Sequence, residues 1–261
     1  MLTIRLTVAI TAMLVVMAGQ VQAGVISWTD WTHGNPEAGT ASGTITTATS
    51  TVGVQYNKPN GYNFLQTDIG PDNFDYFAQG RAGLSGRNPA TSPYTSSVVE
   101  NIPTAGEMIS LFRMGNQTLT FSETIANPVF SYVSLNGYGY AFDRDFEILS
   151  FGDPDGEMEG GFANDQGYFG TGTSSKNVVD LHGGNFEYQL LGTGEPHGTI
   201  RFLGAFNTVS WRSLNGELWN GFTVGVQGTA REVFGTVPEP TSLVLWSLGT
   251  VGMGFARRRR S

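Results

Sequence analysis

The sequence contains no cysteine, only three histidines and 14% charged residues. Without cysteine there is no disulfide framework, no thiolate metal site and no cysteine nucleophile. His33, His182 and His197 sit in three separate glycine-rich neighbourhoods, and the chain has no paired-histidine motif, nucleophile elbow or phosphate loop. Among these, His197, inside Glu195-Pro196-His197-Gly198, is the best single functional candidate, although a turn histidine at the start of a strand is the simpler reading. Basic residues are scarce as well. With Arg5 and the four arginines at the end set aside, residues 24–236 hold nine basic against 21 acidic residues, a net charge of −12. So acidic a surface repels phosphates and anionic lipid headgroups, which argues against nucleic acid and favours neutral sugars, cations or basic partners.

What is present is glycine (36), proline (11) and a 12% share of aromatic residues in a chain of 261. The aromatics supply a core worth ordering, and the glycines and prolines punctuate it, so the bulk reads as one turn-rich β domain. A domain of this length buries enough apolar surface to fold without disulfides, so the missing cysteine is compatible with export.

Both ends carry targeting patterns. Residues 1–23 combine Arg5, an apolar run from Leu6 to Ala18 and the sequence Val21-Gln22-Ala23, which predicts a signal peptide cut after Ala23 to leave Gly24 first. At the other end Val237, Pro238, Glu239 and Pro240 precede an apolar stretch over 241–256, then Arg257, Arg258, Arg259 and Arg260. As a helix the stretch spans about 24 Å against a hydrocarbon core of about 30 Å, a minimal transmembrane helix. The arginines act as a membrane stop signal, keeping the last residues cytoplasmic and everything before Pro238 outside.

The order of these three parts at the chain end resembles the PEP-CTERM sorting signal, with Pro238, Glu239 and Pro240 matching the signature. The resemblance implies that a membrane-embedded exosortase is a partner that recognises and processes the tail. It further implies a Gram-negative-type bacterium that makes exopolysaccharide, a transient stay in the inner membrane, and a final place at the cell surface or in the extracellular matrix. The division that follows is 1–23 signal peptide, 24–236 exported domain and 237–261 sorting tail.

Within the exported domain, Val52, Val54 and Tyr56 alternate with Thr51 and Gln55, as a half-buried strand requires. Further strand-like runs are Thr118–Phe121, Val129–Leu135, Phe142–Phe151, Gly198–Leu203, Asn207–Trp211 and Gly221–Gln227, separated by Gly, Asn, Asp and Pro. The fold class expected is all-β, an antiparallel β-sandwich of lectin-like or jelly-roll type. The less regular segment from Asp68 to Pro103 reads as a long loop excursion, where binding surfaces are often placed, or equally as a surface insertion with no role. Five stretches, Gly43–Thr47, Val133–Gly137, Phe142–Ser150, Glu195–Phe202 and Trp219–Val226, give this domain a resemblance to a group of PEP-CTERM proteins of unassigned function. That resemblance brings no catalytic residues with it.

Three constellations carry candidate chemistry. Asp143, Asp145 and Glu147 alternate along an expected strand, and same-face residues about 6 to 7 Å apart approach the separation of glycosidase carboxylates. The plainer reading is a strand with one wet face. Asp153, Asp155, Glu157 and Glu159 crowd one turn and are candidate calcium ligands, although the spacing departs from an EF-hand loop and a solvated acidic turn is the simpler reading. Trp28, Trp31, Trp211 and Trp219 are available to stack on sugar rings, and most are expected in the core. The reading that follows is a non-enzymatic surface or matrix protein, needing no cofactor, whose β-sandwich adheres to polysaccharide or to neighbouring proteins. Its rival is a secreted carbohydrate-active hydrolase using the strand carboxylates.

Overall fold

A computed structural model describes residues 24–69, 74–78, 87–137, 139–152, 168–170 and 172–235. The expected signal peptide, the acidic turn of Asp153, Asp155, Glu157 and Glu159, and the tail with its motif, apolar stretch and arginines lie outside the described residues. Among the described residues no helix is long and apolar enough to cross a membrane.

The chain begins with β1 (Ser27–Trp28), β2 (Asp30–Asn35), β3 (Thr40–Thr46), β4 (Thr51–Asn57) and β5 (Phe64–Thr67). After a 3₁₀ turn at Pro89–Thr91 come β6 (Glu107–Leu111), β7 (Gly115–Ala126), β8 (Val129–Val133), β9 (Gly139–Phe142) and β10 (Phe146–Phe151). The last elements are β11 (Gly172–Asp180), β12 (Phe186–Gly194), β13 (Gly198–Phe202), β14 (Ala205–Ser213), β15 (Asn220–Val226) and the short helix α1 (Ala230–Phe234). Among the described residues these strands build a seven-stranded sheet in the order β10-β13-β8-β15-β6-β5, with β1 also on β15. The second, eight-stranded sheet runs β11-β12-β9-β14-β7-β4-β3-β2. Every ladder between named strands is antiparallel, so the expected β-sandwich is the observed one.

Period-2 alternation accounts for the core. In β4, Val52, Val54 and Tyr56 point inward while Thr51 and Gln55 face water. They join Trp31, Phe121 and Trp211 of their own sheet with Phe130, Phe202 and Phe222 of the facing sheet in one cluster. Phe130 stacks on Phe222 at 4.8 Å between ring centroids, and Trp211 meets Phe222 edge-on at 5.5 Å. Both are geometries that aromatic quadrupoles favour. A polar link also crosses between the sheets, since the Trp31 N–H donates to Glu107 Oε2 at 2.7 Å.

One expectation is corrected and another refined. Phe142–Phe151 is not one strand: β9 lies in the eight-stranded sheet and β10 in the seven-stranded one, and residues 143–145 carry the chain between them. Asp143, Asp145 and Glu147 therefore do not share a strand face. The segment from Asp68 to Pro103 is, in its described parts, the loop excursion expected, with only a 3₁₀ turn in it, but it packs down as a cover and is no role-free surface insertion. Phe77, Tyr94 and Ile102 form a second cluster with Met108 and Val133, and the Thr199 hydroxyl donates to the Tyr94 carbonyl at 3.0 Å. This cover, together with Ile26 and Trp28 against Gly225, accounts for the burial of every residue of β8 and β15, where a sandwich strand ordinarily keeps one face wet.

The two ends of the sandwich differ. At one end β8 finishes where β13 and β15 begin, as the pairs Gly198↔Tyr132 and Gly221↔Val133 require. At the other end β15 leads into α1, whose capping box pairs Thr229 with Glu232. Glu232 also accepts from the Thr49 N–H at 2.7 Å and the Thr47 hydroxyl at 2.9 Å, fastening α1 to the β3–β4 turn.

Candidate functional site

The strand order β13-β8-β15 makes three chain segments neighbours: the residues after β8, those before β13 and those before β15. Ser134 and Asn136 come from the first, Glu195 from the second, and Glu217 and Trp219 from the third. Together with Tyr76 of the cover and Phe169 they line a cleft of about 630 Å³.

Its floor is a hydrogen-bonded set of side chains. Ser134 leaves β8 in the left-handed region at φ 56°, a conformation that costs a non-glycine residue about 1–3 kcal/mol and persists only where its surroundings hold it. Here its N–H donates to His197 Nδ1 at 3.2 Å, and its hydroxyl donates to Glu195 Oε2. The Asn136 side chain donates to Glu195 Oε1, and its N–H donates to Glu217 Oε1 at 3.3 Å, so one residue ties the two carboxylates together. Asn220 donates to Glu217 Oε2 at 2.8 Å, and the Tyr140 hydroxyl, donating to Asn220 Oδ1 at 2.6 Å, fixes which way that amide points.

Burial pushes the Glu217 carboxyl up from 4.5 to about 8, against the pull of its Asn220 and Asn136 donors, and the charge of Glu195 adds to the rise. His197 is fully buried. Desolvation drives its pKa down to about 3, so it stays neutral at physiological pH. Because Nδ1 accepts, the ring proton sits on Nε2, where the Gly170 backbone is the group that works against the fall. The histidine singled out by sequence is thus a positioning residue behind Ser134. Gly198 beside it is required by close approach: a Cβ there would lie 2.2 Å from the Ser150 carbonyl oxygen and 2.7 Å from the Tyr132 hydroxyl.

The wall is aromatic. Tyr76 and Trp219 have ring centroids 5.0 Å apart, Phe169 and Trp219 4.9 Å, and Tyr76 and Phe169 lie nearly parallel at 6.1 Å. Trp219 is half-buried, whereas Trp28, Trp31 and Trp211 are core residues. One candidate tryptophan of four is therefore placed for ligand contact.

The other candidates fall elsewhere. Asp143 accepts from the Ser210 N–H at 2.9 Å, Asp145 pairs with Lys176 and Glu147 pairs with Arg201. None of the three lines the cleft. His33 and His182 are exposed. Among the described residues no group of three or more His, Cys, Asp or Glu side chains is arranged to hold a metal ion. Tyr76, Phe169 and Glu217 were missed by sequence reasoning. Ser134, Asn136, Glu195 and Trp219 all lie in the stretches that carry the resemblance of the exported domain, and their convergence was the available signal.

Residues 236–260 match the PEP-CTERM protein-sorting motif. No curated protein and no solved structure matches the chain. The motif implies an exported protein that an exosortase processes and sorts to the cell envelope.

Proposed function

We propose that the exported domain is a non-catalytic glycan-binding module, delivered to the cell surface or extracellular matrix by its sorting tail and used there for adhesion to exopolysaccharide. The observation that carries this reading is the cleft itself, which is lined by the rings of Tyr76, Phe169 and Trp219 together with Ser134, Asn136, Glu195 and Glu217. Aromatic faces cover the apolar side of a pyranose ring, and carboxylates and amides bond its hydroxyls. The acidic charge of the domain suits a partner without anionic groups. On this reading the tail is held in the inner membrane by its apolar stretch until the exosortase acts. The hydrolase alternative draws no support from Asp143, Asp145 and Glu147, which are held in local hydrogen bonds and ion pairs.

The test passes the full chain, in mild detergent, over insoluble cellulose, chitin, chitosan and mannan while assaying released reducing sugar. Retention on at least one polymer without turnover is expected, and Trp219→Ala should weaken it about tenfold, the scale of one lost stacking contact. Retention that survives Trp219→Ala unchanged, or sugar release above a blank, would overturn the proposal.

A further inference from the structure

The glycan-binding reading leaves open which sugars the cleft accepts, and its charge is informative on that point. Glu195 and Glu217 both line it, and no Lys, Arg or His among the described residues does. Elsewhere the described carboxylates Asp75, Asp145, Glu147 and Glu187 each have a Lys or Arg partner. The cleft pair has only neutral donors: a hydroxyl, two side-chain amides and one N–H.

We propose that the cleft selects sugars bearing a free, protonated amine, so that the polysaccharide it holds is a cationic, partly N-deacetylated amino-sugar polymer. The inference rests on the glycan-binding reading and narrows its ligand. An ammonium brings three donors and no acceptor. Each oxygen of Glu195 and Glu217 takes one hydrogen bond from the protein and retains a lone pair for a second. A hydroxyl can fill those lone pairs but leaves the negative charge uncompensated, as does an N-acetyl group, which is neutral and adds an acceptor. A uronic acid or sulfated sugar adds like charge to a site already short of cations. The wall acts in the same direction, because the faces of Trp219, Tyr76 and Phe169 carry the negative end of the ring quadrupole and attract a cation. Over longer distances the −12 charge of residues 24–236 attracts a polycation. Burial and the neighbouring Glu195 hold Glu217 toward its neutral form, so the standing charge of the pair is that of Glu195; an ammonium beside the pair compensates that charge and draws Glu217 toward its ionised form, releasing its proton to solvent.

The experiment measures binding of the full chain to three soluble oligomers of equal length, a chitosan oligosaccharide, its N-acetylated counterpart and a cello-oligosaccharide, by calorimetry at low and at 0.5 M salt. The amine form should bind at least about tenfold tighter than either neutral form, the worth of one compensated charge in a half-buried site. Part of the preference should survive salt, which screens diffuse attraction more than a contact pair. Replacing Glu195→Gln and Glu217→Gln together should abolish the preference while neutral oligomers still bind. Asp180→Asn, at an exposed site far from the cleft, should leave it intact. If the N-acetylated or cello-oligosaccharide binds as tightly as the amine form, this inference falls and the glycan-binding reading stands. Failure of all three oligomers, together with the insoluble polymers, overturns both. A preference lost equally to Asp180→Asn, or vanishing in salt, marks a diffuse polycation effect and overturns the inference even if the double variant does not fold.

Discussion

Raising the pH from 6.5 to 8 is expected to cost the domain stability through Glu217, and the size of that cost follows from its surroundings. The carboxyl titrates near 8 in the folded protein, against 4.5 for an unburied glutamate. Between those values the folded chain holds a proton that the unfolded chain has released, so stability falls as pH rises and levels off above 8. At about 1.4 kcal/mol per pH unit, tapering as the folded group begins to titrate, the interval from 6.5 to 8 amounts to about 1.6 kcal/mol. Solvent on the open side of the cleft screens the site and reduces this to about 1 kcal/mol. For a domain of this size that is a fall in Tm of about 2–4 °C. Other groups titrate around the same interval. Glu107, pushed up to about 7 by burial, acts in the same sense, while His197, lowered to about 3, and Lys58, lowered to about 8, act in the opposite sense. All three are present in both wild type and Glu217→Gln, so the difference between the two Tm-against-pH curves isolates Glu217. Thermal melts by circular dichroism at pH 6.5, 7, 7.5 and 8 supply it. Parallel curves would refute the placement of Glu217 in a desolvated site, and a wild type that gains on the variant with rising pH would reverse the sign of the argument.

Gly198→Ala places a methyl group against the Ser150 carbonyl and the Tyr132 hydroxyl. Since the backbone there is held by neighbours on both sides, a loss of about 2–4 kcal/mol by urea unfolding is expected, and a change below about 0.5 kcal/mol would contradict the packing described. Replacing Pro238, Glu239 and Pro240 with alanine leaves the apolar stretch and the four arginines untouched, so membrane insertion should persist while processing fails in a host with a cognate exosortase. Cleavage and release at the wild-type rate would reduce those residues to a linker.

The sequence was legible where one physical rule acted alone. β4 obeys the period of two, and its inward residues were read correctly from Val52, Val54 and Tyr56. The run from Phe142 to Phe151 was misread because apolar residues continue on both sides of a sheet-to-sheet crossing, and nothing local distinguishes Asp143 at that crossing from a strand residue. The cover escaped notice for the opposite reason: Phe77, Tyr94 and Ile102 are too far apart in sequence to show a period, and only the outer face of the seven-stranded sheet brings them together. The cleft suffers from the same separation. Tyr76, Asn136, Phe169, Glu195 and Glu217 belong to five distant stretches; strand register brings the segments of Asn136, Glu195 and Glu217 together, and Tyr76 and Phe169 join them from turns. His197 stood out because it is chemically unusual, and its burial turned that prominence into a supporting role.

The run of β15 gives the molecule a polarity. Its seven residues lead from Asn220, beneath the cleft, to Val226, from which the chain passes through α1 to the sorting motif. At about 3.3 Å per residue the two ends of β15 stand about 20 Å apart. A hold on residues 236–260 therefore reaches the described domain through Gly235, which follows the end of β15 opposite the cleft. On the proposed glycan-binding reading, molecules mounted side by side by their tails would each offer a cleft to a different stretch of the same polymer. Weak single contacts then add up to firm adhesion through multivalency, with the density of mounted copies setting the strength of the layer.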